Sequence, residues 1–200
     1  MTFDTDLAEA PVMVIIRHET PERTAQLCEA AWDLGVRVVE VPIQTRDAIP
    51  SLRAAVEAAT RRGVEVGAGS IHTIAQWDVA VSAGASFTVA AATVSEVMAR
   101  AVESGIPHVP GVATGSEVAA ALAGGSTWVK AFPASLLTPA WITAVRAPFP
   151  MASFVATGGI GADNAREFLQ AGCRAVAFGS SFEHPESARV IREILAEANV

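Results

Sequence analysis

The feature that most constrains this chain is an alternation. Short runs rich in β-branched residues are followed, eight times over, by longer Ala-rich stretches with helical spacing. The runs fall at 12–17, 36–43, 64–70, 86–91, 106–112, 127–133, 153–159 and 175–181. Each intervening stretch can form a helix of ~10–15 residues. Thr20-Pro21, Thr45, Thr93, Thr114 and Asp163 stand where helix caps are expected. Gly35, Gly63, Gly84, Gly105, Gly124 and Gly172 stand where helices should stop. Eight β/α units in 200 residues predict an α/β protein, a (β/α)8 TIM barrel forming a single domain over 1–200. A doubly wound open sheet would use fewer strands, with a Gly-rich nucleotide loop after the first. Here the first strand runs into Ile15-Ile16-Arg17-His18-Glu19, which cannot cradle a pyrophosphate.

Parallel strands covered by helices are apolar on both faces, which accounts for 51% hydrophobic residues and a mean hydropathy of +0.37. No apolar stretch reaches the ~18–20 residues of a membrane span. The acidic start (Asp4, Asp6, Glu9) is the wrong flank for a secretory signal, so a cytoplasmic protein is expected. A net charge of −7, with no basic run, argues against nucleic-acid and anionic-membrane partners. Cys28 and Cys173 form no CxxC and read as small buried hydrophobes. His18, His72, His108 and His184 are scattered without metal-ligand spacing, so neither a metal nor another cofactor is expected.

In such a barrel the chemistry sits at the C-terminal ends of the strands. Polar residues there that a buried strand would not otherwise tolerate are candidates. Lys130 is the only lysine of the chain, between Trp128, Val129, Ala131 and Phe132. Burying an ammonium depresses its pKa, and a neutral amine is what attack on a ketone requires. The alternative is a structural lysine reaching from a strand end to solvent. Glu40 lies among Val38, Val39, Val41 and Pro42, and alternation can turn it into the barrel towards Lys130 as a proton shuttle. It could equally form a buried pair with Arg17 or Arg37. Arg17 shares a face with Met13 and Ile15, where its fork suits a substrate carboxylate. A pair with Glu40, or a surface arginine, is its alternative. Thr157-Gly158-Gly159 and Gly179-Ser180-Ser181 form turns after the seventh and eighth strands, a frequent phosphate site in this fold. They could also be tight turns without a ligand.

Together these residues resemble the 2-keto-3-deoxy-6-phosphogluconate (KDPG) / 4-hydroxy-2-oxoglutarate (KHG) aldolase family. The likeness runs through 14–17, 39–43, 66–70, 109–114, 129–133, 154–159 and 178–180, nearly the whole chain. It implies a class I, metal-independent lyase that cleaves a small 2-oxo-4-hydroxy acid to pyruvate and an aldehyde. It implies a Schiff base on Lys130 and acid–base work by Glu40. Arg17, Ser70 and Thr157 match positions used around the substrate carboxylate and hydroxyls. Gly158, Gly159, Gly179 and Ser180 match the phosphate turns, and the family is usually a homotrimer. The chain departs from the family pattern in several places. Gln44 stands where some members have arginine, Ser70 where the family has threonine, and Ala156 where proline is frequent. After the fourth strand the usual Ser-Pro-X or Thr-Pro-X turn is replaced by Ala90-Ala91-Ala92. That loss of a polar group and a fixed backbone is what supports a second reading, a binding barrel that has lost turnover. A metal-dependent epimerase on the same barrel would need His and Asp ligands at strand ends, which this sequence does not provide.

Overall fold

A computed structural model of the chain describes residues 6–7 and 9–198. Nine strands are present: β1 (Val12–Ile15), β2 (Val38–Pro42), β3 (Gly67–Gly69), β4 (Thr88–Val89), β5 (His108–Val109), β6 (Gly111–Val112), β7 (Trp128–Ala131), β8 (Ser153–Thr157) and β9 (Ala175–Phe178). Among the described residues eight α-helices follow them: α1 (Pro21–Asp33), α2 (Ile49–Arg62), α3 (Ile74–Ser82), α4 (Ser95–Ser104), α5 (Gly115–Ala123), α6 (Ala134–Arg146), α7 (Ala165–Gln170) and α8 (Pro185–Ala198). The strands pair in parallel in the order β5-β4-β3-β2-β1-β9-β8-β7-β6. The two ends of that sheet, β5 and β6, are halves of one predicted strand. Pro110 separates them because proline has no N–H to give to a ladder. Its carbonyl still accepts from the Lys130 N–H at 2.8 Å, so the sheet comes round on itself as a (β/α)8 barrel.

Side-chain alternation divides the core in two. Met13, Ile15, Val38, Phe87, Val89, Val109, Trp128, Val155, Ala175 and Ala177 fill the barrel, joined by Leu7. The residues between them, such as Val12, Val14, Val39, Val41, Val129 and Val176, pack outward against the helices. Shape is matched locally: a Cβ on Gly67 would fall 2.2 Å from the Phe87 ring, so the large ring fits because its neighbour is glycine.

Several predicted caps are present. Thr20 accepts from the Arg23 N–H at 3.2 Å. Thr114 and Glu117 make a reciprocal capping box, with Glu117 accepting from the Ala113 N–H at 2.8 Å. Others differ. Thr93 is not a cap, since its hydroxyl donates to the Gly111 carbonyl and Val94 takes the N-cap position of α4. Thr45 precedes a 3-10 turn without a side-chain cap bond, and Asn164 rather than Asp163 begins α7. Gly125, with φ 90°, takes the left-handed position expected of Gly124. Thr73 caps α3, accepting from the Gln76 N–H, and was not anticipated. Within α6, Thr138 (φ 69°) and Pro139 break the helix.

Among the described residues no helix is long and apolar enough to cross a membrane. Cys28 and Cys173 are buried free thiols, each pushed up to about 12 by desolvation, and so unreactive. Gly67→Ala should overpack the barrel against Phe87 and lower stability by about 1–3 kcal/mol in urea unfolding. An unchanged midpoint would contradict this account of the interior.

Candidate active site

Two positions beyond the apolar layer of each strand, the inward face changes character. Ile15 leads to Arg17, Val38 to Glu40, Gly67 to Gly69 and Val89 to Ala91. Val109 leads to Gly111, Trp128 to Lys130, Val155 to Thr157 and Ala177 to Gly179. One alternation therefore delivers most of the predicted site to one end of the barrel.

Lys130 and Glu40 come together inside it. Lys130 is 4% exposed and Glu40 fully buried. Lys130 Nζ lies 3.7 Å from Glu40 Oε1 and 5.6 Å from the centre of the Phe132 ring. Desolvation pulls the lysine pKa below its ordinary value; the Glu40 carboxylate opposes this and the Arg17 guanidinium adds to it. Neither Glu40 oxygen has a hydrogen-bond partner among the described residues. The carboxylate thus keeps acceptor capacity for a substrate hydroxyl. Of the alternatives for Glu40, the structure shows neither arginine pair: Arg37 bonds Asp6 and Glu9 instead.

The room for this pair comes from Gly69. A Cβ there would lie 1.8 Å from Glu40 Oε1. Sequence reasoning singled out the neighbouring Ser70 and passed over the glycine. The available signal was Gly-X-Gly in a strand, which marks close approach.

Arg17 lies just past β1, exposed, where its charge reaches Lys130. Ser70 leaves β3 with φ 62° and is half-buried. Thr157 is 3% exposed, and its Oγ1 has no partner among the described residues. Gly158 (φ 94°) and Gly159 (φ 74°) make a left-handed turn that other residues adopt only with strain. Asn164 fixes that turn, donating from Nδ2 to the Gly159 carbonyl at 2.8 Å and accepting the Gly161 N–H at 3.0 Å. Ser181 Oγ donates to the Ile160 carbonyl at 3.1 Å and ties this turn to the one after β9. There Gly179 leaves open space where a Cβ would be. The backbone of Ser180 starts a 3-10 turn, and its side chain lies outside the described residues.

His72 was set aside in the sequence and belongs here. Its Nε2 accepts the Ala91 N–H at 3.1 Å. Desolvation and the charge of Lys130 lower its pKa. Its place just after Gly67-Ala68-Gly69-Ser70 was the signal that could have found it. Among the described residues no three His, Cys, Asp or Glu side chains are grouped so as to hold a metal.

Similarity to known proteins agrees with this geometry. The model of the family "KDPG and KHG aldolase" matches residues 3–193. A probable 2-dehydro-3-deoxy-6-phosphogalactonate aldolase of Rhizobium meliloti is 33% identical over 178 residues, 88% of this chain and 84% of its own length. A 2-dehydro-3-deoxy-phosphogluconate aldolase of Treponema pallidum is 33% identical over 186 residues, 92% of this chain and 87% of its own. The crystal structure of KDPG aldolase from Legionella pneumophila, with pyruvate captured as a covalent carbinolamine intermediate, superposes with a TM-score of 0.84 at 29% identity. That superposition covers 100% of this chain and 99% of the other. With a family match over nearly its whole length, this chain belongs to the KDPG and KHG aldolase family.

Proposed function

We propose that the chain is a class I aldolase that reversibly cleaves a 2-oxo-4-hydroxy acid to pyruvate and an aldehyde through an imine on Lys130. The observation that carries this reading is the buried Lys130–Glu40 pair at the barrel mouth. The neutral Nζ attacks the C2 ketone to give a carbinolamine, which loses water to a protonated imine. Glu40 takes the C4 hydroxyl proton as the C3–C4 bond breaks, and the imine accepts the bonding electrons as an enamine. The aldehyde leaves, C3 is protonated, and water returns pyruvate and the free amine. Arg17 holds the substrate carboxylate, while Ser70 and Thr157 meet its hydroxyls. The unpartnered Thr157 Oγ1 supports that role.

The substrate we favour is a 6-phosphorylated 2-keto-3-deoxy acid, which would release glyceraldehyde 3-phosphate. The support is the fixed, glycine-lined turns at Gly158, Gly159, Gly179 and Ser180, whose backbone N–H groups suit a phosphate. If the turns are not used, the substrate is 4-hydroxy-2-oxoglutarate and the aldehyde glyoxylate. A cytoplasmic homotrimer belongs to the same reading, and sedimentation at micromolar concentration tests the trimer. A binding-only barrel is not favoured: the lysine and its carboxylate are in place, and the matched relatives are named as aldolases.

Borohydride reduction in the presence of pyruvate should leave one 1-carboxyethyl group on Lys130 Nζ, the reduced imine, read by peptide mass spectrometry. An unmodified Lys130 would overturn the Schiff-base mechanism. Pyruvate release over a panel of 2-keto-3-deoxy acids, with and without 6-phosphate, selects the substrate.

Glu40→Gln should lower kcat by about 10²–10⁴-fold in the same assay. Its charge raises the lysine pKa, so the acidic limb of the pH–rate profile should move to lower pH. Arg17→Ala should raise KM and move that limb the other way, because the Arg17 charge helps to keep the amine deprotonated. Shifts of the same sign in both variants would contradict the assignment.

A further inference from the structure

The loop between β4 and α4 borders the site without contributing a polar side chain to it. Ala91 continues the inward series Phe87 and Val89, half-buried at the mouth. Its peptide lies flat on Gly111: a Cβ on that glycine would fall 2.2 Å from the Ala91 carbonyl carbon and 2.6 Å from the Ala92 nitrogen. Gly111 is the register partner of Lys130 in the β6–β7 ladder. The Ala91–Ala92 peptide is therefore a wall of the site, one strand away from the reactive amine.

Three hydrogen bonds hold this wall. The Gly111 N–H donates to the Ala92 carbonyl at 3.3 Å, and Thr93 Oγ1 donates to the Gly111 carbonyl at 2.9 Å. Both secure the turn to β6. The third ties it to the segment after β3, where the Ala91 N–H donates to His72 Nε2 at 3.1 Å. His72 is itself anchored, its backbone N–H donating to Gln76 Oε1 at 2.8 Å. Accepting at Nε2 requires a neutral ring with its proton on Nδ1. Desolvation, the largest influence, favours that neutral ring over the opposing effect of the Ser70 backbone. The demand for an acceptor exists only because residue 91 has an N–H.

We propose that His72 is a positioning residue for the 2-oxo acid: by accepting the Ala91 N–H it holds the chain at Ala91, one peptide unit before the Ala91–Ala92 peptide that packs on Gly111, and so fixes the wall of the substrate site beside Lys130. The side chains of Ala90, Ala91 and Ala92 are methyl groups, so they contribute shape rather than hydrogen bonds. A wall of that kind discriminates only while it is held still. His72 does not touch the reacting atoms, so its loss should weaken substrate fit rather than the chemical step.

The inference rests on the aldolase reading, and trapping of pyruvate on wild-type Lys130 tests that reading by itself. The experiment compares wild type, His72→Leu, His72→Gln, Ala91→Pro and the double variant His72→Leu/Ala91→Pro. KM and kcat are measured on the substrate selected from the panel, with thermal unfolding as a folding control. His72→Leu should raise KM on the order of 5–10-fold, the equivalent of one lost hydrogen bond, with kcat within about 2-fold. His72→Gln places a carboxamide oxygen at similar reach and should return KM to near the wild-type value. In the Ala91→Pro background His72→Leu should have no further effect, because no N–H remains to be accepted. An unchanged KM in His72→Leu would overturn the inference, and so would a fall in kcat without a change in KM. Failure of His72→Gln to restore KM, or an equal His72→Leu effect with Pro at 91, would do the same. If wild type is trapped with pyruvate while any of these occurs, the aldolase reading stands and the role of His72 falls.

Discussion

A lysine amine and a carboxyl group buried together in an apolar barrel dominate the physics of this molecule. Lys130 and Glu40 lie 3.7 Å apart, both almost wholly removed from water. Such a pair is poor evidence for stability, because desolvating two charges costs several kcal/mol per ion before their attraction returns any of it. The arrangement makes sense as chemistry instead. Desolvation lowers the proton affinity of the amine, and the nearby carboxylate keeps it from being abolished as a charged group. The same residue can then be a free nucleophile at one step and part of a protonated imine at another. The rest of the site serves this balance. Gly69 gives Glu40 its space, the apolar layer beneath excludes water, and Arg17 adds positive charge at the mouth.

The barrel supplies this environment through a simple device. Parallel strands alternate inward and outward, and in four strands the inward set changes from apolar to polar at the same height. Ile15, Val38, Trp128 and Val155 close the floor; Arg17, Glu40, Lys130 and Thr157 stand two residues later. The floor can therefore be as apolar as folding needs, while the mouth carries groups that a core would not accept. In the wall after β4 no side-chain charge is present, and there the hydrogen-bonding demand of Ala91 falls on His72.

Much of this was legible in the sequence because it depends on local pattern. Eight β-branched runs, helix stops at glycine and a single lysine in an apolar strand follow from periodicity and composition. What stayed hidden depends on contacts between distant segments. Gly69 looks like any strand glycine until Glu40, from the neighbouring strand, is seen to occupy the space of its missing Cβ. His72 has no metal-ligand spacing and no catalytic motif, and its partner is a backbone N–H nineteen residues away. Thr93 resembles a helix cap by position but is drawn instead to the Gly111 carbonyl. Pro110 splits a run that looks continuous, because the ladder needs an N–H that proline does not have.

Burial should make Lys130 an amine that is free below the pH at which an ordinary lysine loses its proton. Because the chain contains one lysine, labelling lysine Nζ with 15N gives a single resonance, and its pH titration in the intact protein measures that group alone. The account predicts a midpoint clearly below the unperturbed value of about 10.4. A midpoint at or above that value would mean that Glu40 outweighs burial, and would contradict the role assigned to Lys130.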